Sequence, residues 1–162
     1  MSRMLLHKLM HNPATAWLRK PENADCAKLL LRLAVGAIFI NHGLMKFKAG
    51  MPMIADFFGG LGIPMPGLMA PFISSLELGG GILMVLGLGT RLIGALFAAT
   101  MLTAIATAFK WKFANAELES LLLMSSLALT LMGAGKYSLD AKLMKKGMGE
   151  HAASMPMTPP KA

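Results

Sequence analysis

The chain has 162 residues, of which 55% are hydrophobic and 15% charged, with 16 Lys and Arg against 8 Asp and Glu for a formal charge of +8 at pH 7. Mean hydropathy is +0.57, whereas soluble domains run near 45–50% apolar and about 25% charged, so disorder, fibrous repeats and a water-facing globule are excluded and a membrane protein remains. A single cysteine, Cys26, rules out an internal disulfide, a CxxC redox pair and a thiolate zinc site within one chain.

Residues 1–27 form a basic segment. Its apolar part is short, is interrupted by His7, Lys8 and His11, and has no small-residue cleavage site before the next apolar run, so it is not a cleavable signal. Leu5, Leu6, Leu9 and Met10 share one helical face, with Arg3, Lys8, Arg19 and Lys20 to attract anionic headgroups and Trp17 to anchor at the interface. An interfacial helix and a frayed basic tail both fit.

Four apolar runs then approach the roughly 20 helical residues that cross a hydrocarbon core of about 30 Å. The first extends from about Leu29 to Met45 and contains Arg32 and His42. The linker KFKAGMPMIADFFGGLGIPMPG follows, with Ile54, Phe57, Phe58 and Leu61 on a helix-like period before Gly59, Gly60, Gly62, Pro64 and Pro66 break it. It predicts a short interfacial helix folded over the bundle mouth, with a disordered outer loop as the alternative. The second run, Met69–Leu88, contains Glu77; the third, Leu92–Phe109, is free of charge; the fourth, Leu118–Ala134, contains Glu119. None shows the period-2 alternation of a strand, and lipid admits only helices or closed barrels. The expected fold is all-α, an integral membrane four-helix bundle over residues 28–140. Residues 141–162 are basic and end in SMPMTPPKA, a composition that predicts an unordered tail.

Cations fix the expected orientation, because Lys and Arg are retained on the cytoplasmic side. With four crossings, Arg3, Lys8, Arg19, Lys20, Lys28, Arg91, Lys136, Lys142, Lys145, Lys146 and Lys161 share one side, and Lys46, Lys48, Lys110 and Lys112 the other. Both termini are expected in the cytoplasm, in the bacterial inner membrane. The cations flank apolar segments, which points to lipid rather than nucleic acid as the partner.

Ionisable groups at membrane depth cost at least about 2.5–3.5 kcal/mol, so they face the bundle interior and have partners. Arg32 lies near the cytoplasmic boundary and is expected to snorkel. At 1.5 Å per residue His42 stands about 21 Å above Lys28, and Glu77 about 16 Å above Leu88. The two can therefore meet in the outer half of the membrane, with Lys46 one turn above His42 and Asn41 beside them. Glu117 and Glu119, at the outer start of the fourth crossing, complete a predicted polar cluster. A His and Glu pair suits a proton relay, or a donor and acceptor set for a quinone carbonyl or small oxyanion. A buried salt-bridge network that fixes helix register uses the same residues.

Small residues four apart (Ser75 and Gly79, Gly94 and Ala98, Ala95 and Ala99, Ala104 and Ala108) supply close helix packing. Only His42 of the four histidines lies in a crossing, so one chain cannot hold a bis-histidine haem. No G-x-G-x-x-G, Walker, H-E-x-x-H or G-x-S-x-G motif occurs. Sixteen Met residues include M-P-M twice, and thioethers favour Cu(I), but they lack clustered His or Cys, so no metal site is expected.

RLAVGAIFINHGLMKF in the first crossing, FFGGLGIPMP after it, LELGGGILMVLGLGTR across the second and GAGKYSLD after the fourth together resemble the DoxX family, over roughly Leu29 to Asp140. The resemblance implies a small four-helix inner-membrane protein. It also implies family positions at His42, Gly43, Lys46, Glu77, Arg91 and Asp140. Where the family has a glycine-aromatic-Glu start to its fourth helix this chain reads NAELES, leaving Glu117 and Glu119 both as equivalents. Relatives include a membrane subunit of a thiosulfate:quinone oxidoreductase and proteins of membrane redox assemblies that handle oxidative or thiol stress, so the implied role is an accessory or quinone-proximal subunit. More distant relatives imply the alternative of a non-enzymatic scaffold or assembly subunit of a larger membrane complex. A transporter or channel is weaker, because four short crossings line a pore only as a homo-oligomer.

Overall fold

A computed structural model of the chain describes the backbone of residues 20–154 and the side chains of residues 20–146. The basic segment Met1–Arg19 and the final MPMTPPKA beyond Ser154 lie outside the described residues. Within them the chain is all helical, without strands.

Helix α1 (Pro21–Ala49) starts earlier than hydropathy alone places it, because Pro21 is pre-set for the first helical position and Glu22 sits in the positively polarised first turn. Gly50, at φ 92°, ends it and donates its N–H to Lys46 O (3.2 Å). The linker contains α2 (Met51–Gly60), which packs against α3 (Pro66–Leu86) and buries Phe58. At the end of α3 the chain turns through Gly87 (φ 71°), with Leu88 N–H on Leu83 O (2.9 Å) and Gly87 N–H on Met84 O (3.1 Å). That is a Schellman closure, which needs a left-handed residue. Helix α4 (Thr90–Thr107), a 3₁₀ turn (Phe113–Asn115) and α5 (Glu117–Met132) follow.

A last helix, α6 (Leu139–Ser154), covers the first part of the stretch for which composition predicts no order. Its start is locally specified. Ser138 Oγ accepts the N–H of Ala141 (3.1 Å) in the N-cap manner, and Asp140 occupies the first turn.

The main packing pairs are α1 with α3 and α4 with α5, with α1 also against α5 and α3 against α4. Their core comprises Val35, Phe39, Met84, Ile93, Phe97, Met101, Leu122 and Leu129, and Phe39 stacks on Phe97 at 3.6 Å. Glycine sets the α1–α3 distance. A Cβ on Gly43 would lie 2.6 Å from Leu78 N, and one on Gly81 would lie 2.8 Å from Gly36 O, so the backbones touch where side chains elsewhere intervene. The α4–α5 seam uses Gly94 in the same way, 2.9 Å from Ser126 O for an added Cβ, whereas Gly79 faces open space.

Two helices among the described residues, α3 and α4, are long and apolar enough to cross a membrane. Outside the core the surface is greasy. Leu30, Leu68, Leu92, Leu121 and Leu131 are all more than half exposed, which in water would be an aggregation liability and in lipid is the expected surface.

Candidate functional site

The close approach at Gly43 builds the site. His42 and Lys46 lie one turn apart on α1, and the contact of Gly43 with Leu78 brings the neighbouring Glu77 of α3 against that face. Glu77 is 1% exposed, and its buried carboxylate accepts a hydrogen bond from the Nζ of the half-buried Lys46 in an ion pair. A buried carboxylate is sustainable only with such a partner. His42 is half-buried and meets the edge of Phe39, with ring centroids 6.4 Å apart.

These three side chains line a cavity of about 540 Å³ bounded by α2, α3, α4 and the start of α5. Phe57 and Phe58 of α2 close it from one side, Phe72, Ile73 and Leu76 of α3 and Thr100, Thr103 and Thr107 of α4 form its walls, and Glu119 of α5 contributes a second carboxylate. The threonine hydroxyls donate to carbonyls one turn back (2.8–3.0 Å), so they turn largely apolar faces to the space. The result is a greasy chamber with one ion pair, one imidazole and one carboxylate at its wall.

His42, Lys46, Glu77 and Glu119 thus surround one space, and Asn41 and Glu117 do not. Asn41 is exposed, and its amide donates to Met45 Sδ at 3.5 Å on its own helix. One residue along a helix is a rotation of about 100°, so Asn41 and His42 cannot share a face. The same geometry separates Glu117 from Glu119, and it is Glu119 that lines the cavity while Glu117 is exposed. The expected contact of His42 with Glu77 is replaced, among the described residues, by the pairing of Glu77 with Lys46. Height along the helix brings all three to one level, and the longer lysine reaches the carboxylate.

A second polar centre at the opposite end was not legible as such. Arg32 is 1% exposed and does not snorkel. Its guanidinium donates to Ala134 O, Tyr137 O (2.9 Å) and Val85 O (3.4 Å), carbonyls at or just beyond the C-terminal ends of α5 and α3. Cations are favoured there by the helix dipoles. Gly87 is required beside it, since a Cβ would overlap the guanidinium. Asp140 completes the arrangement by donating its N–H to Gly87 O (3.1 Å) and accepting the N–H groups of Gly89 (3.0 Å) and Thr90 (3.4 Å) at the start of α4. Nearby, Asp25 accepts the backbone N–H of Lys136 (3.2 Å) and pairs with Lys28 (3.3 Å); the Lys136 N–H first, and the lysine charges with it, hold its carboxyl below the ordinary range.

Residues 27–110 match the DoxX family, and this interval holds His42, Gly43, Lys46, Glu77 and Arg91. The chain belongs to the DoxX family. Among its relatives, "Putative oxidoreductase CatD" of Bacillus subtilis (strain 168) is 45% identical over 123 residues, 75% of this chain and 90% of that protein. "Inner membrane protein YqjF" of Escherichia coli (strain K12) is 33% identical over 129 residues, 75% of this chain and 95% of that protein. No solved structure matches the chain. Family membership and the second relative's name support a membrane location for this DoxX protein. The family match ends before Glu119 and the GAGKYSLD segment, so one cavity carboxylate and the Asp140 cap lie beyond it.

Proposed function

We propose that this DoxX protein is a four-crossing inner-membrane subunit of a redox assembly, both termini cytoplasmic, whose cavity holds a membrane-soluble quinoid ligand. The reading is carried by the Lys46–Glu77 pair, its carboxylate buried, standing at the wall of a largely apolar, aromatic-lined chamber. A quinone needs a greasy volume for ring and tail and a donor at a carbonyl, and Lys46 or His42 supplies the donor. Reduction to the quinol takes two electrons and two protons. The titratable groups can pass protons, and the electrons come from a partner subunit, since this chain offers one cysteine and a single histidine in its core helices. The name of the Bacillus subtilis relative supports the redox assignment.

The test is to purify the full-length protein in mild detergent, extract and quantify bound quinone, and measure thiosulfate affinity. The expected result is bound quinone, lost at least about tenfold in His42→Ala and Glu77→Gln variants whose thermal unfolding stays cooperative, since one charge-assisted hydrogen bond accounts for that factor. Absence of both ligands, or folded variants that keep quinone, would leave the pair as a device for helix register within a scaffold.

A further inference from the structure

A separate groove lies at the Arg32 end of the molecule, between the start of α4, the end of α5 and the first turns of α6. Its volume is about 570 Å³ and it is open along one side. Arg91 stands at its rim over Gly133, where an added Cβ would come 3.1 Å from Nε, so the glycine leaves the guanidinium room to lie flat against the α5 terminus. Among the described residues Arg91 has no carboxylate or hydrogen-bond partner. Asp140, the acidic residue of the groove, has its carboxylate turned to the N–H groups of Gly89 and Thr90.

The walls are apolar and uncovered, with Leu92 65%, Leu143 58% and Met144 68% exposed. Beyond them α6 presents exposed Lys142, Lys145 and Lys146. An unpaired guanidinium, a run of exposed cations and a greasy trough leading away from them demand an occupant with an anionic head and a hydrocarbon body. On α6, Lys142 and Lys146 each follow an apolar residue of the groove end, Leu139 and Leu143, by three positions, so the cations stand beside the apolar side chains, within reach of an anionic headgroup.

We propose that this groove binds an anionic phospholipid, its phosphate held by the Arg91 guanidinium and its acyl chain running along Leu92, Met132 and Leu143. Arginine suits phosphate because its planar fork donates two parallel hydrogen bonds. Bound lipid bridges α6 to the α4–α5 pair, which otherwise meet there mainly through Asp140. The inference rests on the proposed placement of this end at the cytoplasmic headgroup level, and is independent of any ligand in the His42 cavity.

The experiment is native mass spectrometry of the full-length protein in detergent supplemented with phosphatidylglycerol or phosphatidylcholine at equal concentration. The expected result is preferential retention of one phosphatidylglycerol, weakened about tenfold in Arg91→Gln, largely restored in Arg91→Lys and unchanged in Lys110→Gln at the other end. A Leu143→Gln variant, which leaves every cation in place, should also weaken retention, and covers the case in which Arg91→Gln fails to fold. Equal retention of the two lipids, or retention untouched in both variants, overturns the proposal. So does displacement of the lipid by millimolar inorganic phosphate, which would mark a headgroup-only anion site. A topology reporter that puts this end outside the cytoplasm sinks both readings; loss of lipid preference with the termini inside sinks this site alone.

Discussion

At the scale of single residues, the two buried charges do different work, and substitution should separate them. Arg32 neutralises the ends of two helices by satisfying three carbonyls. Replacing it by Met fills much of the volume but orphans buried acceptors, each worth about 1–3 kcal/mol. The Arg32→Met variant should therefore lose about 3 kcal/mol or more in denaturant unfolding of the detergent-solubilised protein. Arg32→Lys should recover less than half, since a point charge cannot fork to carbonyls on separate segments. Lys46 and Glu77, by contrast, serve each other. Lys46→Met leaves a carboxylate buried without a partner and should cost about 3 kcal/mol. Combining it with Glu77→Gln should cost less than Lys46→Met alone, giving a strongly non-additive cycle. Additive losses would mean that the carboxylate has another partner. None of this pairing is visible in sequence order, because Arg32 reaches residues 102 and 105 positions away. Hydropathy shows that a charge is buried, and only the fold shows what it touches.

At the scale of helices, the elements themselves were readable and their contact faces were not. The apolar runs and the Phe57–Phe58 period locate α2 to α5 to within a few residues, since burial in lipid and burial in a core both demand the same composition. The start of α1 escaped because the polar PENAD stretch is not apolar, although Pro21 and Glu22 are ordinary helix-start chemistry. The start of α6 escaped because the residues after Asp140 are basic and polar, and the Ser138 cap that starts the helix is a contact only the fold shows. Among the small-residue pairs, sequence spacing singles out Gly79 and Gly94 and passes over Gly43, yet Gly43 and Gly94 make close contacts and Gly79 makes none. A paired substitution tests this. Gly43→Ala drives a Cβ into Leu78 backbone at 2.6 Å, which no rotamer relieves, and should cost about 1–3 kcal/mol while displacing Glu77 from Lys46. Gly79→Ala meets nothing within 4 Å and should stabilise by roughly 0.5–1 kcal/mol through helix propensity. Thermal unfolding of the two variants side by side is the measurement, and equal shifts would mean that α1 and α3 are not held at glycine distance.

At the scale of the whole molecule, the charge distribution and the two polar centres point in one direction. The Arg32 end carries Lys28, Arg91, Lys136, Lys142, Lys145 and Lys146, and the His42 end Lys46, Lys48, Lys110 and Lys112, with Lys46 committed to Glu77. Retention of cations on the cytoplasmic side is the basis of the proposed orientation, with the Arg32 end inside and the cavity near the outer face. Cys26, exposed near the start of α1, provides a native reporter for the Arg32 end. In sealed inside-out membrane vesicles it should react with an impermeant maleimide, and in intact spheroplasts it should be protected. A cysteine placed at Lys112 in a Cys26→Ser background should show the reverse. The proposed four crossings require this opposition, because α1, α3 and α4, an odd number of helices, stand between Cys26 and Lys112. Labelling of both sites from the same side would require one of those helices to lie in the interface. Helix α1 would be the first to question, since it spans 29 residues and carries Arg32, His42 and Lys46 along its length, and the cavity it shares with α3 would then open to water rather than to lipid.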